Sequence, residues 1–384
     1  MHPRYLYIHV TKHQRTKQGN EICGDAVATI RTSEHTTMIC CDGMGSGIKA
    51  NIAALMTIAR IKELLKQGFS LRDAFDKLVR TMNHARGSSP TYAAFTLARI
   101  YNTGQTIVLS YDAPPAVVVG FGRATILEPK IRMIEQAEVG EASCFLKVGE
   151  GLLIFSDGIS QAGLGIGYKN GWESKGVCKF VNDQLVVGMP KTKLPEMITE
   201  KARELWAHSR GDDSSIMLGL CARGLVVNVL TGPSSIPDKD SSVVQKFNDA
   251  KGVKIICGAS TAKMVARETN LNLTVNQDER NLIAPPRYNL PGFDLVCEGT
   301  VTLNQAYNIF DEEMPDKHEQ SAVTDMLEYL KAADRINFTV GLASNPASGG
   351  ISYRQRGLLP RMEIVEKLAK KLKKVGKLVV VKYV

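Results

Sequence analysis

At 384 residues, 44% hydrophobic and 23% charged, the chain has the make-up of an ordinary folded protein, which excludes a disordered, collagen-like or membrane-bundle chain; its length fits two domains, each able to bury a core. The net charge of +9 would suit nucleic acid, but residues 1–222 carry 26 basic and 21 acidic side chains and the remainder 22 and 18, so neither part is a basic arm and no nucleic-acid partner is expected. No charged-then-apolar leader and no run of about 20 apolar residues is visible, so the sequence reads as a cytoplasmic chain without a membrane partner.

In chain order, 36–43 reads as a buried strand ending in a turn. Residues 48–67 follow as a helix closed by Gly68, apolar enough at 52, 55, 56, 58, 61, 64 and 65 to be nearly all core. A second helix opens at Ser70 and runs to about His84. Strand-like segments come next at 91–101, 105–113, 116–122, 141–148 and 151–158, then a helix over 193–209 and a strand over 214–222. Strands that follow one another directly suggest a sandwich of antiparallel sheets with helices outside. Past about residue 222 the rhythm becomes strict alternation. Strands at 225–232, 253–258, 293–299, 336–343 and 377–384 are separated by helices at 240–250, 260–268, from 302, near 319–332 and 360–375, with a loop at 344–350. That pattern predicts a separate α/β domain with a mainly parallel sheet. Lys367, Lys370, Lys371, Lys373 and Lys374 interleave with Ile364, Leu368 and Leu372 and so form the solvated face of a terminal helix. The eight cysteines are scattered, with no CxxC pair, and read as free thiols in a reducing compartment.

Chemistry concentrates in aspartates at strand ends: Gly24-Asp25, Asp42-Gly43-Met44-Gly45-Ser46-Gly47, Ser156-Asp157-Gly158 and Gly211-Asp212-Asp213. One Asp-Gly alone is an ordinary turn. Several carboxylates held at strand ends can instead converge on hard divalent cations, two of which make a water nucleophilic toward phosphorus.

The order and flanks of these motifs, GDA at 24–26, DGMGSG at 42–47 before a helix, YDAPPAVVV at 111–119, FSDGI at 155–159 and GDDSSIMLG at 211–219, resemble the metal-dependent serine/threonine phosphatases of the protein phosphatase 2C (PP2C) type. Within them the match is to the bacterial branch typified by the stage II sporulation protein E phosphatase domain. The resemblance spans about residues 20–220. It implies an α+β fold: a phosphatase-type β-sandwich flanked by helices over 1–222, followed by the α/β domain over 223–384. It further implies two or more Mn²⁺ or Mg²⁺ ions, bridged by Asp42 and bound by the Gly43 carbonyl, with Asp157 and Asp212 completing the second ion's carboxylates, Asp25 nearby and Asp213 supporting. The implied activity is hydrolysis of phosphoserine or phosphothreonine on a protein substrate. Met44 stands where the eukaryotic branch has a proton-donating His, so a metal-bound water or another group would have to serve; His84 and His208 are the histidines on offer, and each reads first as an exposed helix residue. No Arg precedes Asp25 in the phosphate-binding position, for which Arg15 or Lys17 is near enough. The glycine-rich 163–171 segment has no nucleotide-loop spacing and is expected to be a flap beside the site.

In the α/β domain, Gly232 and Ser234, then Gly258, Ser260 and Thr261, then Glu298 follow strand ends, where open sheets of this kind bind ligands and helix N-termini favour anions. Capping alone also accounts for the hydroxyls. These six residues are candidates for a small anionic ligand of a domain that regulates the phosphatase. The alternative is a catalytically weak phosphatase-fold scaffold that signals ligand binding by the second domain.

Overall fold

A computed structural model describes residues 6–85, 92–206, 211–275, 286–312, 321–343 and 357–384. The loop expected at 344–350 and His208 lie outside the described residues. The chain divides into two compact units, Met1–Arg223 and Gly224–Val384.

The first unit contains β1 (Leu6–Arg15), β2 (Ala26–Arg31), β3 (His35–Gly43), β4 (Ala93–Tyr101), β5 (Gln105–Tyr111), β6 (Val117–Val119), β7 (Ala124–Ile126), β8 (Lys130–Ile134), β9 (Ala137–Phe145), β10 (Gly151–Phe155) and β11 (Ser214–Arg223). They form two antiparallel sheets, ordered β1-β11-β10-β6-β7 and β2-β3-β4-β5-β9-β8. Between the sheets lie Leu6, Ile8, Met38, Ile100, Ile154 and Met217. Helices α1 (Ile48–Lys66) and α2 (Leu71–Ala85) cover the six-stranded sheet. After the short α3 (Asp157–Ser160), α4 (Glu173–Val186) and α5 (Leu194–Trp206) cover the other. This is the helix-flanked sandwich expected from the run of consecutive strands.

Two corrections apply. Helix α1 is not nearly all core: Ala50, Ala53, Ile58, Ile61 and Leu64 are buried, whereas Ile48, Ile52, Leu55 and Met56 are at least half exposed. The core-facing stripe mixes alanines with Ile58, Ile61 and Leu64, and four other large side chains fall on the opposite face. The last strand before β10 also starts earlier than 141, at Ala137, and pairs with β8, which the sequence pattern did not mark.

The second unit contains β12 (Val226–Thr231), α6 (Asp240–Asp249), β13 (Val253–Cys257), α7 (Ala259–Thr269), β14 (Thr274–Val275), β15 (Arg287–Asn289), β16 (Leu295–Cys297), α8 (Thr300–Asn308), α9 (Ala322–Ala332), β17 (Arg335–Val340), α10 (Arg361–Lys374) and β18 (Leu378–Tyr383). The sheet order is β14-β15-β16-β13-β12-β17-β18. Strands β16 to β18 in that order are parallel, and β14 and β15 add an antiparallel edge. Helices α8, α9 and α10 cover one face, α6 and α7 the other. Strand β12 has β13 on one side and β17 on the other, so the chain reverses its direction of growth there, the switch point where such sheets place ligands. In α10, Ile364, Val365, Leu368 and Leu372 are buried and Lys367, Lys370, Lys373 and Lys374 exposed, as the spacing predicts. Among the described residues no helix is long and apolar enough to cross a membrane, and all eight cysteines are free.

Candidate metal centre

Strand pairing draws the aspartate motifs to one end of the sandwich. In the six-stranded sheet, Ala26 pairs with Cys41 and Asp42 with Ala94, which sets Asp25 beside the end of β3. In the other sheet, Phe155 pairs with Ile216, and the Ser156 N–H donates to the Ser215 carbonyl at 2.9 Å, which sets Asp157 beside the Asp212-Asp213 turn. Glycines permit the approach. A Cβ on Gly43 would stand 1.9 Å from the Ala50 carbonyl oxygen of α1, and one on Gly158 would stand 2.0 Å from that of Asp213.

Neighbouring groups fix the carboxylates. Ser156 Oγ donates to Asp25 Oδ2 at 2.7 Å and accepts the Ser215 N–H at 2.9 Å. Gln161 Nε2 donates to Asp157 Oδ2 at 2.8 Å. Asn51 on α1 donates to the carbonyls of Cys23 and Asp25 at 2.8 and 3.4 Å, tying the Gly24-Asp25 turn to the helix that follows the Asp42 loop. Asp213 Oδ1 accepts the Lys17 N–H at 2.8 Å, and Lys17 Nζ lies 3.5 Å from Asp212 Oδ1.

The cluster carries a charge problem. Burial, and then the Asp25, Asp157 and Asp212 carboxylates, push the Asp42 acid far above the usual carboxylate range. Asp25 is raised chiefly by burial, against hydrogen bonds from Ser156 and Ser215 that lower it. Burial also raises Asp212, opposed by the Asp213 N–H and Lys17. Two buried oxygens, Asp25 Oδ1 and Asp213 Oδ2, have no hydrogen-bond partner. Among the described residues no three His, Cys, Asp or Glu side chains are already gathered into a ligand shell. Carboxylates in mutual repulsion, two with orphaned buried oxygens, nevertheless suit hard cations, which supply the missing charge and lone-pair partners.

Several contributors were not assigned from sequence. A small cavity is lined by Asp42, Asp157, Ser156, Asp112 and Pro114. Asp112 has a left-handed backbone (φ 48°) and accepts a hydrogen bond from the Tyr92 hydroxyl. It stands in the YDAPP segment already noted, and Ser156 in FSDG, but neither motif betrays its partner. Of the proposed phosphate binders, Lys17 reaches the cluster and Arg15 pairs with Glu200 on α5. His84 sits at the end of α2 with Nδ1 2.6 Å from the Arg80 carbonyl oxygen, a contact within its own helix. The 163–171 segment follows α3 as a glycine-rich turn bridged at Leu164 and Tyr168.

In the second unit, Gly232 N–H donates to Thr261 Oγ1 at 2.7 Å, and the Gly258 N–H donates to the Cys297 carbonyl at 2.8 Å. Gly232, Gly258 and Thr261 thus meet at neighbouring strand ends. Ser234 is turned to its own loop, its Oγ accepting the Ile236 N–H at 3.2 Å. Ser260 is exposed, and Glu298 accepts from the Tyr288 hydroxyl at 3.3 Å. Arg361, which the sequence did not mark, donates to the Gly341 carbonyl at 2.7 Å, and Gly232 faces its guanidinium.

Two antiparallel sheets between helical layers, with aspartates at one end, are the architecture of a PP2C-type phosphatase domain. Residues 32–219, just under half of the chain, match the family model of Stage II sporulation protein E (SpoIIE). No curated protein matches the chain. Among solved structures, the SpoIIE phosphatase domain with a fragment of its regulatory domain from Bacillus subtilis is 17% identical, at a TM-score of 0.48, over 57% of this chain and 63% of that one. The chain therefore spans less than two thirds of that structure. The RsbU and RsbW domains of a Mycobacterium tuberculosis protein are 12% identical over 64% of this chain and 69% of theirs, at a TM-score of 0.46. RsbX in complex with magnesium is 17% identical over 56% of this chain and 96% of its own, at 0.41.

Proposed function

We propose that the first unit hydrolyses phosphoserine or phosphothreonine on a protein substrate at a site for two or more Mn²⁺ or Mg²⁺ ions. The observation that carries this reading is the pair of buried, unpartnered oxygens, Asp25 Oδ1 and Asp213 Oδ2, in a cluster whose other members are Asp42, Asp157 and Asp212. Asp42, the Gly43 carbonyl, Asp157 and Asp212 are the proposed ligands, Asp25 a near or water-mediated one, and Asp213 a support that also anchors the Lys17 loop. When bound, the ions supply the charge that acidifies a water and offsets charge on the transferring phosphoryl group. The protein's own part is positional. Ser156 and Gln161 hold the Asp25 and Asp157 carboxylates in one orientation, and the close contacts at Gly43 and Gly158 keep the loops from separating.

The second unit is proposed to regulate this activity by binding a small anion at the β12/β17 switch point, where Gly232, Gly258, Thr261 and the Arg361 guanidinium converge. A scaffold that signals without catalysis is the second reading; the charge repulsion retained in the aspartate cluster disfavours it, since a scaffold gains nothing from that cost. The test is phosphate release from phosphoserine peptides by the full chain and by residues 1–223, with Mn²⁺, with chelator, and with Asp42→Ala. Manganese-dependent release that Asp42→Ala abolishes is expected. Absence of release from every form favours the scaffold, and equal rates from the two lengths speak against regulation.

A further inference from the structure

Lys17 is held twice by the acidic cluster: its N–H donates to Asp213 Oδ1 at 2.8 Å, and its Nζ lies 3.5 Å from Asp212 Oδ1. The first contact belongs to the backbone and survives any movement of the side chain. Arg15 and Ser214 are the last register pair of β1 and β11, so Lys17 and Asp212 lie just past the end of that ladder, one beyond each strand. The second contact is weak. The side chains of Lys17 and Asp212 remain 30% and 35% exposed, and a pair this open to water is screened and readily exchanged. A lysine, with a compact ammonium on a flexible stem, can let go of one oxygen without disturbing its own backbone, which a bidentate arginine does less easily.

We propose that Lys17 is an exchangeable counter-ion, an inference that rests on the metal reading above. In the cation-free protein it neutralises Asp212. An incoming divalent ion takes that carboxylate, and the ammonium, still tethered through Asp213, turns to the phosphoryl oxygens of the substrate. No bond is made or broken at Lys17; only its ionic partner changes.

Calorimetric titration of the full chain with Mn²⁺ tests the first half, comparing wild type, Lys17→Met, Lys17→Arg and Asp42→Asn. Lys17→Met should bind Mn²⁺ more tightly, by up to about five-fold, the range an exposed ion pair supports; Lys17→Arg, which releases Asp212 less easily, should bind it no more tightly than wild type. Steady-state kinetics on a phosphoserine peptide test the second half. KM should rise several-fold in Lys17→Met with kcat little changed, and Lys17→Arg should restore KM. Equal or weaker Mn²⁺ binding by Lys17→Met, or a fall in kcat at constant KM, overturns the proposal. Wild type that takes up no Mn²⁺, or Asp42→Asn that takes it up as well as wild type does, overturns the metal reading itself, so the two failures are distinguishable.

Discussion

Ser156 and Asp25 join the two sheets of the phosphatase domain through one hydrogen bond, 2.7 Å from hydroxyl to carboxylate. Because the same hydroxyl accepts the Ser215 N–H, it orients Asp25 from a point anchored in β11. Ser156→Ala should therefore lower Mn²⁺ affinity by about 10-fold or more, as removal of an outer partner of a metal ligand typically does. It should also cost about 1–3 kcal/mol of stability through the orphaned Ser215 N–H. Mn²⁺ titration and thermal melts of the purified variant check the two effects separately.

Gly43 and Gly45 share one loop but should respond differently to alanine. The Gly43 Cβ would collide with the backbone of α1, whereas the Gly45 Cβ would meet nothing within 4 Å and suffers only from φ +96°. Gly45→Ala should cost about 1–2 kcal/mol for the left-handed backbone. Gly43→Ala should cost more and abolish peptide dephosphorylation. Comparable melting temperatures for the two variants would contradict the close contact at Ala50.

Cation binding predicts an effect on stability. In chelator, Asp42→Asn should melt close to wild type, because the buried Asp42 carboxyl, raised far above the usual carboxylate range, already holds its proton there. With Mn²⁺ wild type should melt above the variant, since only wild type gains binding free energy. Differential scanning fluorimetry in both conditions reads the gap, and curves that coincide in Mn²⁺ would count against a metal at Asp42.

His35, at the start of β3, gives a pH signature remote from the aspartates. Burial, and then the Arg99 guanidinium, lower its pKa from 6.5 to about 4. The folded state thus prefers the neutral ring: its stability is full above pH 6.5 and falls as pH drops from 6.5 toward 4, where the folded protein also takes up the proton. His35→Gln should remove this component, so the difference in stability between wild type and variant should shrink across that window in urea titrations. The ring is only partly buried, which keeps the effect modest.

Thr261 accepts the buried Gly232 N–H in the second unit. Thr261→Val leaves that donor unsatisfied and should destabilise the unit by about 1–3 kcal/mol. Calorimetry of the full chain should show the loss in the transition of the second unit, with that of the first unchanged.

Asp25, Asp42, Asp157 and Asp212 were legible because a strand end beside glycine is a local signal, and four such signals in family order reinforce one another. Lys17 was offered only alongside Arg15, since its tie to Asp212 and Asp213 crosses nearly the whole domain and depends on β1 pairing with β11. Strands β1, β2 and β8 escaped notice because their exposed and half-buried positions give no continuous apolar run. In α1 the hydrophobic count misled, because alanines share the core-facing stripe with Ile58, Ile61 and Leu64 while Ile48, Ile52, Leu55 and Met56 face outward. The parallel alternation of the second unit was readable, but the antiparallel β14-β15 edge was not, because strands of two and three residues carry no periodic signal, nor was Arg361 at the switch point, whose approach to Gly232 joins distant segments.

The ladder from Leu6↔Arg223 to Arg15↔Ser214 has a consequence for assembly during synthesis. The first strand of the phosphatase domain has no sheet partner until the domain's last strand has left the ribosome. The Lys17 loop and the Asp212-Asp213 turn, at the far end of that ladder, come together only then. Until then the acidic site lacks its final wall, so the proposed activity should be an all-or-none property of the finished domain. Trimming strand β1 should abolish phosphate release while leaving every aspartate in the chain.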